Sequence, residues 1–377
     1  MLPKTRYNSY SVAIIDSDTT RAFLGPILEF LDDDTVSEIL INAPDVIYIE
    51  RKGRLYRAES VFETQDALMA AARNVAQFVG RRIDEKHPIL DARLPDGSRI
   101  HIVVPPAAKD GVYIAIRKFG SEPLLVKDMI QGGAISVEMA RFLHMAVQLK
   151  KNLIVSGSTS SGKTTLLNAI SSFIPDEQRV VVIEDASELQ LQQEHVLRME
   201  TVNNDKLHIE IRDLVKSSLR LRPDRIVIGE VRGPEALDLL QAMNTGHSGS
   251  MATLHANNPK QALARLETLI MMNRLEMPLI AIRSQIANAI QIIVQASRLR
   301  DGSRKITHIS EVTGLDEDGN YLVNDIFVLE ILGIEGEDEK LVTEFRATGH
   351  KPSFLEEAKR AGIKVPDTMF VQKRKAS

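Results

Sequence analysis

The stretch Leu153-Ile154-Val155-Ser156-Gly157-Ser158-Thr159-Ser160-Ser161-Gly162-Lys163-Thr164-Thr165 constrains what this chain can fold into more than any other. Its apolar start reads as a buried strand, its middle is glycine, serine and threonine, and Lys163 opens a helical pattern, KTTLLNAISSF. Gly157, Gly162, Lys163 and Thr164 match the spacing G-x-x-x-x-G-K-[ST]. In such a loop, backbone N–H groups cradle phosphates, the lysine neutralises the outer phosphate oxygens, and the hydroxyl ligates magnesium. Chance alone would produce the pattern in roughly one chain in a hundred of this length. A strand before it and a helix after it leave a plain glycine-rich turn as the minor alternative. The loop predicts nucleotide binding; it does not say what the nucleotide is used for.

Around this loop the pattern is that of an α/β unit. From Val137 the sequence alternates helix, strand, loop and helix, with strands at Val180–Glu184, at Arg225–Glu230 and in SMATLHA. Strands alternating with helices imply a parallel sheet covered on both faces. Two further helices lead into a β-meander with turns at Asp301-Gly302 and Asp318-Gly319, and PSFLEEAKRA reads as a last helix. Upstream the pattern is different. RAFLGPILEFL reads as a short amphipathic helix and SEILINAPDVIYIE as short strands; a helix follows near Gln65 to Val79, and LPDGSRIHIVVPP and GVYIAIRKF alternate with a period of two. With 377 residues and 44% hydrophobic content, two cores are expected. The expected organisation is an extension over 1–20, a mixed α+β domain over 21–119, a linker over 120–136, an α/β domain over 137–350, and a C-terminal helix and tail over 351–377.

A nucleotide hydrolase needs a carboxylate to organise magnesium and another group to orient or deprotonate the attacking water. VVVIEDASEL puts Glu184 and Asp185 at the end of one apolar strand, and RIVIGEVRG puts Glu230 at the end of another. In an open α/β sheet those ends share one edge with the phosphate loop. Either carboxylate alone could as well be a capping or solvated residue; two at strand ends point to chemistry. The segment from Thr245 to Asn257 adds His247 and His255, and its strand carries Thr253 and His255 toward the same edge, where a neutral imidazole could meet a γ-phosphate or water.

Composition narrows the function classes. A net charge of −4 withholds the positive field that non-specific nucleic-acid binding needs, and aromatics are only 5% with no tryptophan, which disfavours a base-stacking channel. Arg220, Arg222, Arg225 and Arg232 read instead as nucleotide or subunit-interface charge. With no cysteine, neither a disulfide nor a thiolate zinc site can form, and a reducing, cytoplasmic setting is expected. No stretch reaches membrane-spanning length, so membrane association is expected to be peripheral. A basic tail from Gln372 to Lys375 reads as a solvated end. A kinase would need an acceptor pocket and lid, which the sequence does not reveal, and a non-catalytic switch would not need both Glu184 and Glu230.

GSTSSGKTTLLNAISSFIP, VVVIEDASELQLQQEHVLRME and LRLRPDRIVIGEVRGPEALDLLQAMNTGHSGSMATLHANN together resemble the four nucleotide motifs of the type II and type IV secretion ATPases. RRIDEKHPILDARLPDGSRIHIVVPP, AIRKF and RLETLIMMNRLEMPLIAIRSQIANAIQIIVQASRLRDGSRKITHISEV are most similar to the CpaF-type ATPase of Tad (Flp) pilus assembly. The resemblance spans roughly residues 22 to 370. It implies an N-terminal PAS-like α+β domain followed by a RecA-like P-loop ATPase domain, a homo-hexamer, and ATP with Mg2+. It also implies a motor at the cytoplasmic face of the inner membrane that works on platform proteins, with no direct nucleic acid. A type IV secretion ATPase for protein or conjugative DNA export is the alternative.

Carried over by position, Lys163 would bind the β/γ-phosphate, Thr164 the magnesium, and Glu230 would position magnesium through water. Glu184 would be the general base, and His247 and His255 would be γ-phosphate or interface sensors. Arg99 and Arg117, with Arg93 assisting, match first-domain arginines that reach the phosphates; surface arginine on a strand is the plainer reading of each. Two departures stand out. Ser158 and Ser160 occupy positions where the family has glycine, and the helical bundle that many CpaF-type proteins carry ahead of the PAS-like domain is largely missing.

Overall fold

The computed structural model describes residues 21–51, 53–118, 124–204, 207–273, 276–336 and 339–372. The expected extension over 1–20, the punctuation from Gly120 to Pro123 and the basic residues from Lys373 onward lie outside the described residues. The chain divides into two compact units between Glu122 and Pro123.

The first unit is built on strands β1 (Val36–Ala43), β2 (Val46–Arg51), β3 (Arg54–Arg57), β4 (Ile89–Arg93), β5 (Arg99–Val103) and β6 (Tyr113–Arg117). They form one antiparallel sheet in the order β3-β2-β1-β6-β5-β4. Ile100, Ile102, Ile114 and Ile116 alternate inward along β5 and β6 and pack with Leu68, Ala72 and Val75 of helix α2 (Gln65–Phe78) in one core. Thr64 caps that helix, its hydroxyl accepting the Ala67 N–H at 3.1 Å. The single helix expected over Arg21–Leu31 is instead broken. A 3-10 turn at Gly25–Ile27 interrupts it ahead of the short α1 (Leu28–Asp32), because Pro26 has no N–H to continue the ladder.

The second unit carries a nine-stranded sheet. Its strands are β7 (Leu153–Gly157), β8 (Val180–Glu184), β9 (Val196–Glu200), β12 (Arg225–Ile228), β13 (Met251–His255), β14 (Ile292–Arg298), β15 (Arg304–Leu315), β16 (Tyr321–Glu335) and β17 (Lys340–Ala347); β10 (Val202–Asn204) and β11 (Leu207–Ile209) make a separate hairpin. The order is β17-β16-β15-β14-β7-β13-β12-β8-β9, parallel from β14 to β9 and antiparallel from β14 to β17. β7, β8 and β12 are buried at every residue, which is why they read as unbroken apolar runs rather than alternations.

Two apolar cores lie against this sheet. One contains residues of α3 (Val126–Gln131), α4 (Val137–Gln148), α5 (Lys163–Ser171) and α10 (Leu355–Arg360). The other contains residues of α6 (Ile211–Ser218), α7 (Glu235–Asn244), α8 (Pro259–Met271) and α9 (Leu279–Ala289). Two expectations are corrected here. The segment anticipated as a linker folds as α3, with Met129 and Ile135 buried in the first of these cores. The meander also gains a further long hairpin, because β16 continues to Glu335 and pairs with β17.

Candidate functional site

Because β7, β8, β12 and β13 are parallel neighbours, their C-terminal ends lie on one edge of the sheet. Gly157 ends β7, Glu184 ends β8, Glu230 follows β12, and His255 ends β13 in register with Gly157. The phosphate loop closes on itself there. The Ser158 carbonyl accepts the Ser161 hydroxyl at 2.8 Å, the Ser161 N–H at 3.4 Å and the Lys163 Nζ at 2.9 Å. Gly157 has no room for a side chain: a Cβ would sit 2.4 Å from both the Ala296 carbonyl and the Ser161 hydroxyl. Gly162 caps α5 with φ +88°, and Ser160 also has positive φ, +57°. Of the two serines found where glycine was expected, only Ser160 occupies the left-handed region.

A polar chain runs across the edge from this loop. Lys163, 8% exposed, approaches His255 Nδ1 at 3.3 Å through Nζ, and His255 Nε2 lies 2.7 Å from Glu230 Oε1. Since an ammonium only donates, Nδ1 must accept, which assigns the imidazole proton to Nε2, facing the carboxylate. Burial lowers the His255 pKa, and the charge of Lys163 lowers it further against the opposing pull of Glu230, so the neutral ring is favoured. Glu230 Oε2 accepts from Arg232, whose other terminal nitrogen lies 3.4 Å from Asp185. Despite its proximity to His255, Glu230 Oε1 is buried without a hydrogen bond of acceptable geometry, leaving an acceptor of the hard, anionic kind that suits a hydrated magnesium ion.

Glu184 stands apart from this chain. It is 4% exposed, and one carboxylate oxygen accepts the N–H groups of Glu188 at 2.9 Å and Leu189 at 3.0 Å. Burial pushes its carboxyl up to about 6, against the lowering effect of those two N–H groups. A buried carboxylate with its pKa near neutrality is suited to take a proton from water. Gly229 makes room for it: a Cβ there would lie 2.8 Å from Glu184 Cγ and 3.2 Å from Oε1. Gly229→Ala is therefore expected to lower kcat by about 10- to 100-fold and to cost about 1–3 kcal/mol of stability through overpacking. Steady-state kinetics and thermal melts would check both, and an unchanged kcat would show that the Glu184 position is not critical.

Not every sequence-predicted residue reaches this edge. His247 precedes β13 and is separated from His255 by the length of that strand, at the opposite edge of the sheet. Within one chain the two histidines do not form a pair. The arginine cluster also splits. Arg225 begins β12 and is fully buried, donating to the carbonyls of Val147 at 2.7 Å and Gly249 at 3.2 Å and to the side-chain oxygen of Gln178 at 2.6 Å. It is a structural tie rather than the nucleotide or interface charge expected, and burial pulls its pKa down to about 10. Arg220 and Arg222 precede the same strand end, and only Arg232 stands at the carboxylate edge.

In the first unit, Arg93, Arg99 and Arg117 are directly cross-strand neighbours in one row of β4, β5 and β6, with Glu38 of β1 next in the row. Like charges side by side disfavour the sheet, and the Glu38 carboxylate beside Arg117 offsets part of that cost. Sequence reading missed residues that act at the loop from a distance. The Ser156 hydroxyl donates to the Gln295 side-chain oxygen, and the Gln295 amide donates to the Ala256 carbonyl at 3.1 Å, tying the strand ends of β7, β13 and β14. Gln295 carries no local motif that would have revealed it.

A glycine-rich loop at the edge of a parallel sheet, with two strand-end carboxylates and a histidine beside it, is the arrangement of a P-loop nucleotide-binding protein. The family model described as "Type II/IV secretion system protein" matches residues 21–346, and the chain belongs to that family of ATPases. It is 36% identical over 296 residues to the type IV secretion system protein PtlH of Bordetella pertussis, covering 71% of this chain and 87% of that one. It is 32% identical over 326 residues to the type IV secretion system protein VirB11 of Bartonella henselae, covering 76% and 91%. Among solved structures, the ATPase DotB of Yersinia pseudotuberculosis matches with a TM-score of 0.57 at 19% identity, over 84% of this chain and 83% of that one, a likeness of fold. Among the described residues no helix is long and apolar enough to cross a membrane.

Proposed function

We propose that the chain is the motor subunit of a homo-hexameric ring that converts ATP hydrolysis into movement for a Tad-type pilus at the inner membrane. The observation that carries the hydrolytic part is the convergence of Lys163, Glu184, Glu230 and His255 on one sheet edge. In this reading the residues Gly157, Ser158, Thr159, Ser160, Ser161, Gly162, Lys163, Thr164 and Thr165 cradle the phosphates. Thr164 and Glu230 would hold Mg2+, which when bound would draw charge from the phosphate oxygens. Glu184 deprotonates the attacking water, and His255 reports the γ-phosphate to Glu230 and Lys163. His247, away from that edge, serves a subunit contact. The second unit is RecA-like and the first PAS-like.

The Tad assignment rests on the resemblance of the first-unit and meander segments. A second reading, a type IV secretion ATPase, is favoured by the names of the relatives PtlH and VirB11. ATPase activity measured with purified cytoplasmic domains of pilus platform proteins, with those of type IV secretion components, and with single-stranded DNA separates the readings. Stimulation by the platform domains alone is expected. Stimulation only by DNA would overturn the assembly-motor reading, and a monomer by light scattering at every protein and nucleotide concentration would overturn the ring.

A further inference from the structure

An arginine that no motif predicts lies on the phosphate loop. β14 runs parallel to β7 with Ala296 opposite Gly157, so the hairpin leaving β14 emerges beside the loop. Its turn is braced. The Leu299 N–H donates to the Ser303 carbonyl at 2.7 Å, and the Gly302 N–H donates to the Leu299 carbonyl at 2.9 Å. One Asp301 carboxylate oxygen accepts the Ser303 N–H and hydroxyl at 3.0 and 2.6 Å, and the other accepts the Leu341 N–H of β17 at 3.1 Å. Arg304, the first residue of β15, thus projects from a fixed base. Its Nε donates to the Ser160 carbonyl at 2.9 Å, joining positions 144 residues apart.

Ser160 is the residue where such a bond has an effect. With φ at +57° it holds a left-handed conformation that a residue with a Cβ adopts only under strain. The Ser160–Ser161 peptide is planar, so fixing its carbonyl also fixes the direction of the Ser161 N–H on the other side of the bond. That N–H reaches only weakly inside the loop, at 3.4 Å from the Ser158 carbonyl. We infer that Arg304 is a positioning residue that holds the left-handed turn at Ser160, through its Nε–H bond to the Ser160 carbonyl, and so keeps the loop set for phosphate. The inference rests on reading Gly157 to Thr165 as the phosphate loop. Arg304 acts here through the loop backbone and not as a phosphate ligand.

The test is a double-mutant cycle on nucleotide affinity using the full chain, with ADP and a non-hydrolysable ATP analogue as probes. Arg304→Lys keeps the positive charge but puts a methylene where Nε stands. Arg304 is exposed, so the fold should survive, and Arg304→Gln serves if the lysine variant does not fold. In the native background Arg304→Lys is expected to weaken binding about tenfold and to raise KM for ATP accordingly, with kcat changed by less than about twofold. In the Ser160→Gly background, where glycine adopts the turn without strain, the same substitution is expected to cost about twofold or less. An equal loss in both backgrounds would show that Arg304 works on the nucleotide directly, and no loss in the native background would show the contact to be idle; either overturns the inference. A native protein that binds neither probe would instead overturn the phosphate-loop reading itself.

Discussion

Lys163→Ala is expected to weaken nucleotide binding by about a hundredfold or more and to bring hydrolysis to background, because it removes the buried ammonium that would meet the outer phosphates. Its geometry makes the case stronger than the motif does. The ammonium is held by the Ser158 carbonyl at 2.9 Å and by His255 at 3.3 Å, so one side chain organises both the loop and the end of β13. Removing it also takes away a charge that holds the His255 pKa down, since Lys163 is among the causes of that lowering. The variant should therefore show a His255 resonance that titrates at higher pH than in the native protein. Isothermal titration with ADP and an NMR titration of the imidazole would check the two effects, and ADP affinity within about threefold of native would remove Lys163 from the phosphate site.

Glu184→Gln is expected to keep nucleotide affinity within a few-fold while slowing hydrolysis by about a thousandfold, the usual scale for a lost general base. The amide oxygen can still accept the Glu188 and Leu189 N–H groups, so the turn after β8 should persist. A second consequence follows from the raised pKa. The folded protein holds a proton on Glu184 up to about pH 6, whereas the unfolded chain releases it near 4.5. The folded state therefore binds more protons between those values, and the stability this group contributes is present below 4.5 and lost as the pH rises through about 6. At pH 8 the buried charge then costs on the order of 2 kcal/mol, and Glu184→Gln, which has no charge to bury, should melt at a higher temperature than the native protein. In the native enzyme kcat should rise as the pH passes through about 6, as the base ionises. Normal turnover in Glu184→Gln would assign the base elsewhere.

Much of this site was legible before folding. Glu184 and Glu230 each close an apolar run, and a run buried on both faces in a parallel sheet delivers its end to a shared edge. That logic works because strand, crossover helix and loop are set by local pattern and by the handedness of the connection. It failed where the same pattern carries two ends. Arg225 and Arg232 are seven positions apart and look alike as charges, yet β12 lies between them, so one is buried at the base of the sheet and the other pairs with Glu230 at the top. His247 and His255 were divided by β13 in the same way. The helix expected over Arg21–Leu31 failed for a local reason, the missing N–H of Pro26, which the apolar spacing outweighed.

What the sequence by itself determined is the chemistry available and its grouping: a phosphate loop between strand and helix, carboxylates at strand ends, and a family whose members hydrolyse ATP. Tertiary structure alone decided how those groups are tuned. Burial in the packed sheet raises the Glu184 pKa, burial and the neighbouring Lys163 favour the neutral form of His255 against the pull of Glu230, and an arginine 144 residues away meets Ser160 with its left-handed backbone. The reason is physical. A side chain's functional groups are written in its own identity, but its solvation and its partners are set by whichever distant segments pack against it.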